Sequence, residues 1–127
     1  MAQPPRKCVF VVDDDDAVRT LVCKALQAKG YEVIAATDGL KAADMLGNLP
    51  RVPDLMICDV MMPTIDGFSL ARMVKSHTEL KSMPIIFLTA KTQPKDLTLG
   101  MSLGARHYIQ KPFNLQDLLD RVEKTVR

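Results

Sequence analysis

Four runs of apolar residues, Cys8-Val-Phe-Val-Val12, Val33-Ile-Ala-Ala36, Leu55-Met-Ile-Cys58 and Ile85-Ile-Phe-Leu88, recur along the chain with no polar residue inside them. A strand with one face in water alternates apolar and polar side chains. An unbroken apolar strand therefore needs cover on both faces, as in a parallel sheet sandwiched between helices. A weaker fifth run is His107-Tyr-Ile109. Between the runs, apolar residues fall at helical spacing: Val18, Leu21, Val22, Ala25 and Leu26; Leu40, Ala43 and Leu46; Phe68, Ala71, Met73 and Val74; Leu97, Met101 and Leu103; and Leu115, Leu118, Leu119, Val122 and Val126. Gly30 and Gly104 fit helix C-terminal stops, and Gly100 marks the fourth helix as the least stable. Strand and helix alternating five times predict an α/β fold, a doubly wound (βα)5 sandwich. Right-handed crossovers favour a five-stranded parallel sheet of order 2-1-3-4-5.

A chain of 127 residues is long enough to close one hydrophobic core without metal or disulfide staples. One domain is expected over residues 7–127, preceded by a disordered leader at residues 1–6, where Pro4-Pro5 lacks backbone donors. A net charge of +2 is too small to predict a nucleic-acid partner. Cys8, Cys23 and Cys58 show no metal-ligand spacing and read as small hydrophobes of a reducing compartment. No apolar stretch approaches the roughly 20 residues that span a membrane, so the expected location is cytoplasmic.

In a sheet of this order, ligands gather beyond the carboxyl ends of the strands at the switch point between strands one and three. Strand one ends at Asp13-Asp14, strand three at Asp59, strand four at Thr89 and strand five at Lys111. An acid after a strand often only caps the next helix, which suits Asp15 or Asp16. Capping does not account for Asp13, Asp14 and Asp59 meeting in one cleft. Two carboxylates about 5 Å apart repel by roughly 3 kcal/mol at an effective dielectric near 20, so three of them favour a cation. Oxygen ligands with a phosphate partner suit Mg²⁺, with Mn²⁺ as substitute. A carboxylate can also attack phosphorus as a nucleophile where a metal and a fixed cation such as Lys111 neutralise the group in transfer. Thr89 offers a hydroxyl to a phosphoryl oxygen.

The motifs Val11-Val-Asp-Asp14, Pro53-Asp-Leu-Met-Ile-Cys-Asp-Val-Met-Met-Pro63 with Asp66-Gly67, Pro84-Ile-Ile-Phe-Leu-Thr-Ala90, Gly104-Ala105 and Tyr108-Ile-Gln-Lys-Pro-Phe113 resemble those of the receiver domain of two-component response regulators. The likeness is to single-domain chemotaxis-type regulators, whose fold is flavodoxin-like, and it runs from about Lys7 to Val126. The resemblance implies that Asp59 is the phospho-acceptor and that Asp14, Asp59 and the backbone carbonyl of Met61 hold Mg²⁺, with Asp13 acting directly or through water. It implies that Lys111 contacts the phosphoryl group and that Lys111-Pro112 is a cis peptide. Thr89 and Tyr108 become the switch, altering the face made by helix four, strand five and helix five. The implied partners are a histidine kinase or phosphotransfer protein upstream and a target protein or output domain downstream, for a monomer or weak dimer. Such a domain catalyses its own phosphorylation and dephosphorylation without being a conventional enzyme. Met61 and Lys91 differ from the chemotaxis type and are expected to flank the path of attacking water, slowing hydrolysis.

Two rivals share parts of this pattern. Asp14-Asp-Asp-Ala-Val18 satisfies the D-x-D-x-V motif of haloacid dehalogenase-type phosphatases, but a late acidic pair is missing beyond Lys111. A flavodoxin-like electron carrier shares the layout but lacks Trp and an evident aromatic pair to sandwich a flavin. A docking module independent of phosphorylation is the third alternative. His77 and His107 have no acidic or histidine neighbour at ligand spacing, and the eight Met residues are mostly at core spacing, with Met61 and Met62, in the loop after the acceptor, as exceptions.

Overall fold

The computed structural model describes residues 6–127, so most of the expected leader lies outside the described residues. Ten elements alternate: β1 (Cys8–Val12), α1 (Asp16–Ala28), β2 (Glu32–Ala36), α2 (Gly39–Leu46), β3 (Leu55–Cys58), α3 (Gly67–Ser76), β4 (Ile85–Thr89), α4 (Pro94–Ser102), β5 (Ala105–Gln110) and α5 (Leu115–Val126). The strands form one parallel sheet of order β2-β1-β3-β4-β5, as expected.

The unbroken apolar runs have a direct cause. Side chains alternate across the sheet, and each face of the central strands meets a separate helical layer. Phe10, Val12, Met56, Cys58, Ile85 and Phe87 pack with Ala42, Leu46, Phe68, Leu70 and Val74 on one side. Val9, Val11, Leu55, Ile57, Ile86 and Leu88 pack with Val22, Leu26, Leu118 and Val122 on the other. β1, β3 and β4 are buried along their whole length. The edges differ from the expectation of cover on both faces, since β2 keeps only Ala36 buried and β5 only Ala105 and Ile109.

Not every residue at core spacing reaches the core. Leu21, Leu40, Met73, Leu97 and Met101 stay exposed because each helix lies against the sheet along one narrow stripe. Met62, by contrast, is buried although it follows β3 in a loop. Gly30 and Gly104 adopt φ of +93° and +87° just beyond α1 and α4, the left-handed conformation of a helix stop. Among the described residues, no helix is long and apolar enough to cross a membrane.

Candidate functional site

The parallel register brings the ends of β1 and β3 level, with Val12 opposite Cys58, so the residues that follow leave the sheet side by side. The Asp59 N–H donates to the Val12 carbonyl at 2.9 Å, and the Asp13 N–H to the Ala36 carbonyl at 3.3 Å. Asp13 and Asp59 are buried, Asp14 is exposed, and one oxygen from each lies within 4.8 Å of the others. Asp14 and Asp59 open into a cleft of about 380 Å³ that is also lined by Asp15, Met61, Ala90 and Lys111.

Lys111 is the hub. Its Nζ donates to Asp13 Oδ2 at 2.8 Å and to Asp59 Oδ2 at 2.9 Å. Its own N–H donates to the Thr89 carbonyl at 2.9 Å, anchoring the lysine to the end of β4. The Lys111-Pro112 peptide is cis, as the motif implies. Burial pulls the ammonium pKa down, but the hydrogen bonds and charges of Asp13 and Asp59 outweigh it and hold it above the ordinary lysine value. Burial pushes the Asp13 carboxyl above its ordinary value, offset only in part by Lys111 and by the Asp15 N–H, which reaches Oδ1 at 2.9 Å. Asp15 itself caps α1 through Ala17 and Val18, the bland role expected of it.

Three more groups close the site. The Met61 N–H donates to Asp59 Oδ1 at 3.1 Å, which curls the loop after β3 over the carboxylate, and the Met61 side chain stands exposed on the cleft rim. Thr89 is buried, and its Oγ1 accepts from the Lys91 N–H at 3.1 Å. The Gly67 N–H donates to the Val60 carbonyl at 2.9 Å, which presses α3 against this loop. A Cβ on Gly67 would fall 2.2 Å from the Asp59 carbonyl oxygen and 2.8 Å from Val60 Cα. Gly67→Ala must therefore push backbone against backbone at the Asp59 strand end. A loss of about 2–3 kcal/mol is expected, read as a lower midpoint in urea unfolding.

Lys91, expected to flank the path of attacking water, follows Ala90 of the cleft lining. It is not among the cleft residues, and its Nζ lies 3.7 Å from Oδ1 of Asp96 in the first turn of α4. Asp96 is buried, and its Oδ2 accepts from the Gln93 N–H at 3.1 Å as part of a capping box. The Tyr108 hydroxyl donates to the Lys91 carbonyl, and its ring packs on Phe87 at a centroid distance of 5.7 Å. Burial, with the charges of Asp96 and Asp59, pushes the phenol pKa up to about 12. Gly100 explains itself here: a Cβ would meet the Tyr108 ring at 2.8 Å, so the glycine that weakens α4 as a helix makes room for the tyrosine.

Neither Arg19 nor Asp96 stands out in the sequence. Arg19 Nη1 donates to the Asp13 carbonyl at 2.8 Å, a side-chain contact to backbone that no spacing rule marks. His77 and His107 stay outside the site; among the described residues, Asp13, Asp14 and Asp59 form the sole cluster suited to a metal. Three close carboxylates, two of them buried, fit a hard divalent cation with oxygen ligands.

Comparison with known proteins points the same way. The response regulator receiver domain family matches residues 9–123. Over 119 residues the chain is 39% identical to the response regulator MprA of Mycobacterium sp. (strain KMS), covering 94% of this chain and 50% of the relative. It is 38% identical over 121 residues to the transcriptional regulatory protein GltR of Pseudomonas aeruginosa, covering 95% and 49%. The chain thus spans about half the length of these relatives. The chemotaxis protein CheY4 of Vibrio cholerae superposes with a TM-score of 0.87 at 34% identity, covering 95% of this chain and 99% of that one. Sequence, fold and the convergence of strand ends agree, and the chain belongs to the response regulator receiver domain family of two-component signalling.

Proposed function

We propose that this receiver takes a phosphoryl group onto Asp59 from a histidine kinase or phosphotransfer protein, with Mg²⁺ or Mn²⁺ held by Asp14, Asp59, the Met61 carbonyl and, directly or through water, Asp13. The observation that carries this reading is the Lys111 ammonium shared between Asp13 and Asp59, a fixed cation already at the acceptor oxygen. Asp59 attacks phosphorus through a carboxylate oxygen, the bond from phosphorus to the donor nitrogen breaks, and the imidazole leaves with the electron pair. Lys111 follows the charge onto the phosphoryl oxygens, and the Thr89 hydroxyl donates to one of them. A bound divalent cation adds charge neutralisation on the group in transfer.

Once Asp59 carries the new anion, Thr89 is drawn toward it, and the Lys91 N–H that Thr89 now receives loses its acceptor. The same residue's carbonyl holds Tyr108, so the change passes to the α4, β5 and α5 face that a target protein or output domain reads. The unit that does this is residues 7–127, acting in the cytoplasm as a monomer or weak dimer. To test it, the chain is incubated with acetyl phosphate and Mg²⁺, then cleaved and mapped by mass. Phosphate on the Asp59 peptide, lost when Mg²⁺ is chelated, is the expected result. Unmodified protein with both acetyl phosphate and a cognate kinase overturns the proposal.

The lifetime of the phosphoryl group is set at the cleft rim. Met61→Asn opens the exposed apolar rim to water, and dephosphorylation is expected to quicken on the order of tenfold, or ~1.4 kcal/mol in the barrier. Lys91→Glu is expected to have the smaller effect, because the Lys91 ammonium is engaged at Asp96. Loss of phosphate followed by mass gives both rates; equal rates in Met61→Asn and the parent chain refute the shielding.

A further inference from the structure

Of the three acids, Asp13 and Asp59 are held by Lys111, whereas among the described residues no hydrogen bond or ion pair reaches the Asp14 carboxylate. Its place in the cluster is set by its backbone alone. The peptide joining Asp13 to Asp14 is planar, so its carbonyl and the Asp14 nitrogen turn as one unit. Arg19 holds that carbonyl: Nη1 donates to Asp13 O at 2.8 Å, from a side chain that is only 16% exposed.

The other nitrogen, Nη2, pairs with Asp16, whose side chain is 86% exposed. An ion pair that open to water contributes little. The shielded contact to the Asp13 carbonyl is therefore the one with consequence, and Asp16 serves to orient the guanidinium. Arg19 itself is fixed by α1, where its N–H donates to the Asp15 carbonyl at 2.9 Å and Asp15 caps the helix. A helix thus reaches back through one side chain to lock the acidic loop that precedes it.

We propose that Arg19 is a positioning residue for the cation site, holding the Asp13-Asp14 peptide so that the Asp14 carboxylate stays within ligand distance of Asp13 and Asp59. This rests on the acidic cluster being the divalent-cation site argued above. Two physical effects of losing Arg19 have opposite signs. Removing a positive charge near a cation site strengthens cation binding, while releasing the peptide disperses the ligands and weakens it. Outer partners of metal ligands typically govern 10–100-fold in affinity, so positioning is expected to win.

The experiment is calorimetric titration of the full chain with MgCl₂ for the parent, Arg19→Met and Arg19→Lys, alongside phosphorylation by acetyl phosphate across Mg²⁺ concentrations. Arg19→Met is expected to bind Mg²⁺ about tenfold more weakly, with Arg19→Lys between it and the parent. The Mg²⁺ needed for half-maximal phosphorylation shifts upward by the same factor, while the rate at saturating Mg²⁺ is retained. Equal or tighter binding in Arg19→Met overturns the proposal, as does a saturating rate that falls with no shift in the Mg²⁺ requirement. Should Arg19→Met not fold, Arg19→Lys decides by the same criteria. A parent chain that takes up no Mg²⁺ overturns the cation site itself, a different failure from a parent that binds and variants that bind equally.

Discussion

Asp59→Asn is expected to abolish phosphoryl uptake from acetyl phosphate while changing folding stability by no more than about 1 kcal/mol. The substitution keeps size and one oxygen acceptor, which can serve the Met61 N–H, 3.1 Å from Oδ1, while the Lys111 ammonium gives up its bond to Oδ2 and keeps Asp13 Oδ2, at 2.8 Å, as its acceptor. The charge terms nearly cancel. At an effective dielectric near 20, attraction to Lys111 is worth about 5–6 kcal/mol, and repulsion from each of two carboxylates within the cluster about 3 kcal/mol. Losing all three leaves a small remainder, unlike most changes to a buried charge, because Asp59 sits among one cation and two anions. The chemistry, by contrast, has no substitute, since a neutral amide oxygen does not form a lasting bond to phosphorus at this site. Mass measurement after incubation with the donor gives the first result and urea unfolding the second. An adduct retained in Asp59→Asn refutes the assignment of the acceptor, and a drop in stability of several kcal/mol refutes the cancellation.

How much of this was legible in the sequence follows from what each residue does. β1 and β3 coincide with their apolar runs, Cys8–Val12 and Leu55–Cys58, because both faces of a central strand are buried and nothing in the run needs to be polar. β5 is Ala105–Gln110, longer than the run His107-Tyr-Ile109, because an edge strand admits Arg106 and Gln110 on its exposed positions. The acids, Thr89 and Lys111 were readable for the same reason: topology places strand ends together, so residues distant in sequence share an edge by rule. No rule of that kind exposes Lys111 as the bridge between Asp13 and Asp59, since which acids an ammonium reaches depends on side-chain packing.

Contacts to backbone are the least legible. Arg19 reaches a carbonyl, Tyr108 reaches a carbonyl, and Gly67 matters for the atoms a side chain there would strike. None of these leaves a partner residue to be recognised in the sequence. Lys91 shows the converse. Its position two residues after Thr89 suggested the cleft, and its ammonium lies 3.7 Å from a carboxylate oxygen of buried Asp96 at the start of α4. The loop between β4 and α4 is thereby tied at both ends, by Thr89 and Tyr108 on one side and Asp96 on the other.

Lys111→Met is expected to cost about 3–5 kcal/mol of stability at neutral pH and to slow phosphorylation by a factor on the order of 10² to 10³. The stability term arises because the lysine is the common partner of two carboxylates that are 4% and 7% exposed. Its removal leaves both buried without their cation and next to each other. The pH dependence has a definite sign. The Lys111 pKa is raised in the folded state, so its contribution is in place below the ordinary 10.5 and is lost as pH rises through the folded value. The Asp13 pKa is raised above the ordinary 3.8, so the folded state prefers the proton, and the cost of the charged carboxylate is relieved as pH falls through that raised value. The relief is greater in Lys111→Met, where the ammonium no longer opposes protonation. The gap between parent and variant is therefore widest around neutrality and narrows toward both acid and strong alkali. Mg²⁺ at neutral pH supplies the missing charge and narrows it as well, since a ligand of the folded state stabilises by an amount that grows with the logarithm of its concentration over its dissociation constant. Urea unfolding across pH, with and without Mg²⁺, measures all three effects. A gap independent of pH would mean that Lys111 stabilises by packing alone, and that the charge it places at Asp59 is not what prepares the acceptor.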